Sequence, residues 1–280
     1  MSWSRHLTLE PADALRAAVP LLLLAGAVAL PAPIPVLVLV VLVGGVAVAI
    51  NRRAPVAWTW AAVVPPAGIA VVRTVGPGIV HWYPVPAGID SAFSCAVASA
   101  PPVVWSMGEA VLVVGATAAL AVALKSKAAD IGVRVPARYA RRWAALGFVA
   151  VLVIGLAAAI VLVQPIVGGP AVTAGGIGVA LPAALFAVAV AVSEEVAWRG
   201  AFLAWLGRLL GPFLAALSQS VLYGLSWGVV TGSTLGGVVA GAAGLFLAAV
   251  VIRTRSLLVV VAWHAAFNAA FYLVVACRPG

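Results

Sequence analysis

Residues 178–206 read GVALPAALFAVAVAVSEEVAWRGAFLAWL. Only Glu194, Glu195 and Arg199 interrupt an otherwise uncharged run, which exceeds what a helix needs to cross a ~30 Å hydrocarbon core. A carboxylate at mid-membrane depth costs roughly 2.5–3.5 kcal/mol on insertion scales. Two of the chain's seven acidic residues standing side by side in such a run therefore mark a functional site.

The rest of the chain supports the membrane reading. It is 65% hydrophobic and 8% charged, with a mean hydropathy of +1.21. A soluble surface needs about a quarter charged residues. The alternation of a membrane barrel is absent, so the spanning elements must be helices that satisfy their own backbone hydrogen bonds. We place nine spans, near 15–31, 34–50, 56–72, 103–124, 143–164, 178–206, 211–230, 235–252 and 256–275. The expected fold is all-α, a polytopic bundle of about eight to nine transmembrane helices. A basic N-terminal region of spans and loop, 1–142, precedes a second transmembrane domain over 143–276.

The net charge of +9 does not point to nucleic acid, because the bases sit in short clusters between apolar spans. Asn51-Arg52-Arg53, the loop from Lys125 to Arg142, Arg199 with Arg208, and Arg253-Thr254-Arg255 fall on one side. With Arg5 and Arg16, that side holds fourteen of the sixteen bases; Arg73 and Arg278 are the exceptions. By the positive-inside rule the N-terminus is cytoplasmic and the C-terminus outside, in a bacterial cell membrane. The first span also fits a cleavable signal sequence, but Pro33 and Pro35 make a natural hairpin into the next span and favour retention.

Two loops stand out. The outer segment 73–102 carries His81, Trp82 and Tyr83, suited to an interfacial belt. The inner loop 125–142, with Arg134, Arg138, Arg141 and Arg142, is a topology determinant lying against anionic headgroups. Cys95 and Cys277 both fall outside; a disulfide and two separate thiols are equally open. Small residues at Gly236, Gly237, Gly241 and Gly244 permit close helix packing, within the chain or between chains.

On a helix, Glu195 and Arg199 are four apart and pair, whereas Glu194 points about 100° away and lacks a built-in cation. That leaves Glu194 as the candidate general base. In the last span, His264 and Asn268 share one face. Glu194 lies roughly 18 Å from the inner end of its span and His264 roughly 12 Å from the inner end of its own, at 1.5 Å per residue. The two groups thus fall at similar depth, which suits a shared cavity. Glu109 in the fourth span is expected to pair with Arg73.

Glu-Glu-x-x-x-Arg on one membrane helix and His-x-x-x-Asn on a later one resemble the CPBP family, which includes CAAX-type prenyl proteases, bacteriocin-processing proteins and the abortive-infection domain. The resemblance covers about 143–276, with Ile131-Gly132-Val133-Arg134 similar to the stretch that often leads into it. It implies an intramembrane endopeptidase acting on membrane-associated proteins or peptides. Glu194 would activate a water molecule, His264 and Asn268 would steady the oxyanion, and Glu195 and Arg199 would position the first helix. The family's middle motif is an aromatic residue followed four later by histidine. Tyr223 fits the aromatic place, but Trp227 stands where the histidine belongs, and an indole neither accepts a proton nor binds a metal. Losing an acid–base partner typically removes ~10²–10⁴-fold in rate.

Zinc is the cofactor to weigh. A catalytic zinc site takes three protein ligands, and Glu194, Glu195 and His264 form such a set only if Glu195 gives up Arg199. His6 and His81 lie far away in the topology, so no cofactor is the expectation. Three functions compete. The first is an active endopeptidase, impaired or not by Trp227. The second is an inactive relative that binds a peptide or membrane-protein partner. The third is a transporter using Glu109, Glu194 and Glu195 for protons or cations, weakened by the lack of visible internal repeats.

Overall fold

The computed structural model describes residues 11–30, 34–52, 54, 56–80, 100–158 and 176–275. His6, His81, Trp82, Tyr83, Cys95 and Cys277 lie outside the described residues. Among those described, every regular element is helical. In chain order these are α1 (Pro11–Ala29), α2 (Ile34–Asn51), α3 (Ala57–Val80), α4 (Ala100–Ala123), a short 3₁₀ turn (Ala128–Ile131) and α5 (Arg138–Ala158). They continue with α6 (Gly176–Glu194), a π-helical segment (Glu195–Phe202), α7 (Leu203–Thr231), α8 (Thr234–Thr254) and α9 (Leu257–Val275).

The chain is a polytopic helical membrane protein. Four helical stretches are long and apolar enough to cross a bilayer: Ile34–Asn51, Val103–Ala123, Ala183–Val229 and Thr234–Thr254, with shorter apolar helices at Ala18–Ala29 and Leu257–Ala270. The longest holds two of the expected spans and breaks at Gly211, whose φ of 76° and ψ of 165° are not helical. Glycine reaches that conformation without a Cβ clash, and Pro212 cannot donate the amide hydrogen bond that would carry the helix across.

A single uninterrupted α-helix through the Glu-Glu motif was the expectation, and it needs correction. From Glu195 the helix widens to π geometry for eight residues, a feature that concentrates at functional sites. All of Glu195, Ala197, Trp198, Arg199, Gly200, Ala201 and Phe202 are buried there.

The glycine question resolves within the chain. A Cβ on Gly224 would stand 2.7 Å from the Gly237 carbonyl oxygen, and one on Gly237 would stand 2.8 Å from that of Gly224. Helices α7 and α8 therefore touch backbone to backbone, the contact that small residues allow in lipid.

The inner loop is stitched to the turn between α8 and α9. The Leu257 amide donates to Gly132 O at 2.9 Å, Ser256 Oγ donates to Arg134 O at 3.0 Å, and Arg134 Nε donates to Arg255 O. Gly132 sits at a φ of 80°, a left-handed position that suits glycine. Asp130 pairs with Arg208 at 3.1 Å, and the Arg208 guanidinium stacks 4.0 Å from the Trp58 ring. Arg138, Arg141 and Arg142 stay exposed. This loop fixes where α9 starts, and hence the height of His264.

Candidate functional site

Five α-helices and the π segment deliver the polar groups. Glu194 closes α6, and Glu195 and Arg199 follow on the π segment. Tyr223 and Trp227 come from α7, and His264 and Asn268 from α9. Arg73 on α3 and Glu109 on α4 complete the cluster. Glu194, Glu195 and Arg199 are wholly buried, and Arg73, Glu109, Tyr223 and His264 nearly so.

Glu195 and Arg199 pair as their spacing requires, Arg199 Nη1 donating to Glu195 Oε1 at 2.9 Å. The same oxygen meets His264 Nδ1 at 2.7 Å. A carboxylate accepts, so Nδ1 carries the proton and Nε2 is the ring's other face. That Nε2 lies 3.8 Å from Glu194 Oε2, beyond direct hydrogen bonding but within reach of a small bridging group. The glutamate pair and the histidine, predicted to share a depth, thus meet.

The expectation that Glu194 lacks a cation is overturned. Arg73 Nη2 donates to Glu194 Oε1 at 2.6 Å, and Tyr223 Oη donates to Glu194 Oε2 at 2.6 Å. The helical-wheel argument holds only within one helix; the cation arrives from α3, 121 residues earlier in the chain. Arg73 also bonds Glu109, at 3.2 Å through Nη2 and 3.5 Å through Nε, so the expected Arg73–Glu109 pair forms. Ser193 Oγ lies 2.8 Å from Glu109 Oε1 and ties α6 to α4.

Aromatic side chains wall this cluster. The Arg199 guanidinium lies 4.3 Å from the Tyr223 ring centroid, a cation–π contact. Tyr223 meets Trp198 edge-on at 5.7 Å and Trp227 edge-on at 6.4 Å. Arg73 stands 5.9 Å from the Trp227 ring. Behind Tyr223, a Cβ on Gly244 would meet Arg199 Nη2 and Gln219 Nε2, each at 3.4 Å, so Gln219 belongs to the same neighbourhood.

Asn268 behaves differently from its helix partner His264. Its Nδ2 is buried without a hydrogen-bond partner among the described residues. A buried unsatisfied donor costs about 1–3 kcal/mol, and no hydrogen bond among the described residues ties this amide to Glu194, Glu195 or His264.

The residues do not fit a metal. Glu195 keeps Arg199 and spends the same oxygen on His264, while Arg73 holds Glu194. Among the described residues no group of three or more His, Cys, Asp or Glu is arranged to hold an ion. Within the set Glu194, Glu195 and His264, both Oε1 atoms are held by arginines, Glu194 Oε2 by Tyr223 and His264 Nδ1 by Glu195.

Sequence reasoning missed three contributors. Arg73 was tied to Glu109 but not to Glu194, although its place outside the cytoplasmic basic clusters was the available signal. Ser193 and Gln219 carried no signal, since one polar residue in an apolar span is common.

A bundle that buries a glutamate pair and a histidine defines a class: a helical membrane protein with an internal polar site. Residues 176–270, about a third of the chain, match the family described as Rce1-like, type II CAAX prenyl endopeptidase Rce1-like. Over that segment the chain is similar to CAAX-protease-like membrane proteins of the CPBP family. No curated protein and no solved structure matches it.

Proposed function

We propose that the protein is an intramembrane endopeptidase that hydrolyses peptide bonds in membrane-associated proteins or peptides. The observation that carries this reading is the approach of His264 Nε2 to Glu194 Oε2, 3.8 Å apart, in a fully buried site. A water molecule between those atoms gives up its proton to Glu194 Oε2 as its oxygen attacks the scissile carbonyl carbon. The proton passes to the leaving nitrogen when the tetrahedral intermediate collapses. Asn268 Nδ2 is the neutral donor available to the developing oxyanion. Glu195 orients the imidazole through Nδ1, and Arg199 anchors Glu195.

One observation favours a second reading, an inactive relative that binds a peptide or membrane-protein partner. Both oxygens of Glu194 are engaged, by Arg73 and Tyr223, and Trp227 supplies no base beside them. Ion pairing weighs against a transporter, because Glu109 and Glu194 are tied to Arg73 and Glu195 to Arg199. The distribution of bases supports a cytoplasmic N-terminus, as the positive-inside rule predicts.

Cleavage of a broad peptide library by the purified protein in lipid separates these readings, with Glu194→Ala and Trp227→His alongside. The protease reading expects wild-type cleavage that falls ~10²–10⁴-fold in Glu194→Ala. Silence in wild type with activity gained in Trp227→His makes the binding reading correct. Silence in all three removes the enzyme reading.

A further inference from the structure

Arg73 lies on α3, 103 residues before the segment that matches the family model begins. Its guanidinium nevertheless contacts the central carboxylate at 2.6 Å, through Glu194 Oε1, as closely as Tyr223 does. The side chain is almost completely buried, as is its second acidic partner Glu109. An anion as buried as Glu194 is stable only beside a fixed cation or with its lone pairs filled by donors. Arg199 does not serve: its hydrogen bond goes to Glu195, and none reaches Glu194 among the described residues. His264 is turned by its Nδ1 toward Glu195 as well. Lysine at position 73 would bring one point charge, whereas the planar guanidinium reaches Glu109 through Nε and Nη2 and Glu194 through Nη2 together.

We propose that Arg73 is a positioning residue of the site, a counter-ion supplied by the N-terminal helices that holds Glu194 as an oriented anion facing Tyr223 and His264. Glu109, itself held by Ser193, anchors Arg73 in that place. Residues 176–270 alone are then an incomplete site. The inference rests on the proposed hydrolytic role of Glu194 for its consequence in catalysis, but not for its electrostatic content.

The test uses the full chain in lipid and two readouts. Infrared spectra of wild type, Arg73→Lys, Arg73→Gln, Glu109→Gln and Arg73→Gln/Glu194→Gln report protonated buried carboxyl groups directly. The expected result is a new protonated-carboxyl band in Arg73→Gln, absent from wild type and Arg73→Lys, and diminished in the double variant, where only Glu109 is left without its cation. No new band in a folded Arg73→Gln, or a band undiminished by Glu194→Gln, overturns the proposal. Helical content by circular dichroism establishes folding, and Glu109→Gln, which keeps the Arg73–Glu194 contact, must also show no Glu194 band. The second readout is peptide cleavage: kcat falls about 10²-fold in Arg73→Gln with KM little changed, and Arg73→Lys recovers part of it. A raised KM at unchanged kcat would instead assign Arg73 to substrate binding and refute the positioning role. Absence of wild-type cleavage counts against the hydrolase reading alone, since the infrared result still decides the role of Arg73.

Discussion

The π segment Glu195–Phe202 and the helix α8 are both made largely of small and apolar residues, yet they sit in opposite environments. Every described side chain of the π segment except half-buried Val196 is buried, with two full charges among them. On α8, Leu235, Val238, Val239 and Phe246 face outward, and the buried residues are only Gly244, Ala248 and Val251. Lipid tails are as apolar as leucine, so apolar residues gain little by moving inward, and packing and polar pairing decide what is buried. Charge goes to the centre where partners exist, and valine goes wherever room is left. The difference teaches that in this bundle hydrophobicity does not report burial; polarity does.

Breaking the polar centre should cost most. Arg199→Met removes the partner of a buried carboxylate, and an uncompensated buried charge costs about 3–5 kcal/mol. We expect a large fall in thermal midpoint in lipid or detergent, and an unchanged midpoint would show that the pair is not what holds the π segment. Tyr223→Phe deletes only the hydroxyl bonded to Glu194. Hydrogen bonds to charged groups contribute about 1.5–3 kcal/mol, so the loss of stability should be clear but smaller, with the fold retained by circular dichroism.

On the lipid-facing side, chemistry matters less and shape more. Gly237→Ala puts a Cβ 2.8 Å from the Gly224 carbonyl oxygen, and neither backbone can yield cheaply. Overpacking of this kind costs about 1–3 kcal/mol. Val239→Leu, on the exposed face of the same helix, should stay within about 0.5 kcal/mol. If the two α8 variants melt together, the backbone contact between α7 and α8 is not a stability determinant. Asp130→Asn sharpens the comparison from its far end. The Asp130–Arg208 pair is about a third exposed on both sides, and exposed pairs contribute about 0.2–1 kcal/mol. Adding salt should shrink even that difference, as it should not for Arg199→Met.

The bundle was legible in the sequence because spans announce themselves by length and apolarity, so the helices begin and end close to the expected places. Glu195 with Arg199, and His264 with Asn268, were legible too, since i and i+4 residues share a helical face. The π segment was not, because its widening depends on what packs around it. The bond from Arg73 to Glu194 spans 121 residues and no periodicity encodes it. The clue was indirect: a lone arginine outside the basic clusters in a chain whose other bases nearly all fall on one expected side. A cation that disobeys a topology rule has a reason, and here the reason is an anion.

The π segment also sets a rule about chain length. A π turn accommodates one more residue than the α-helix around it, so its sequence is in effect an α-helix carrying an insertion. Deleting Ala197 would return the segment to α geometry and swing the next residues by about 100°. Trp205 would turn away from Ser126, which its indole now meets at 3.4 Å, and Arg208 would leave Asp130. Ala197→Gly keeps the count and should keep the fold, whereas the deletion should scramble the packing below the site. In this stretch the number of residues is itself under constraint, independently of which residues they are.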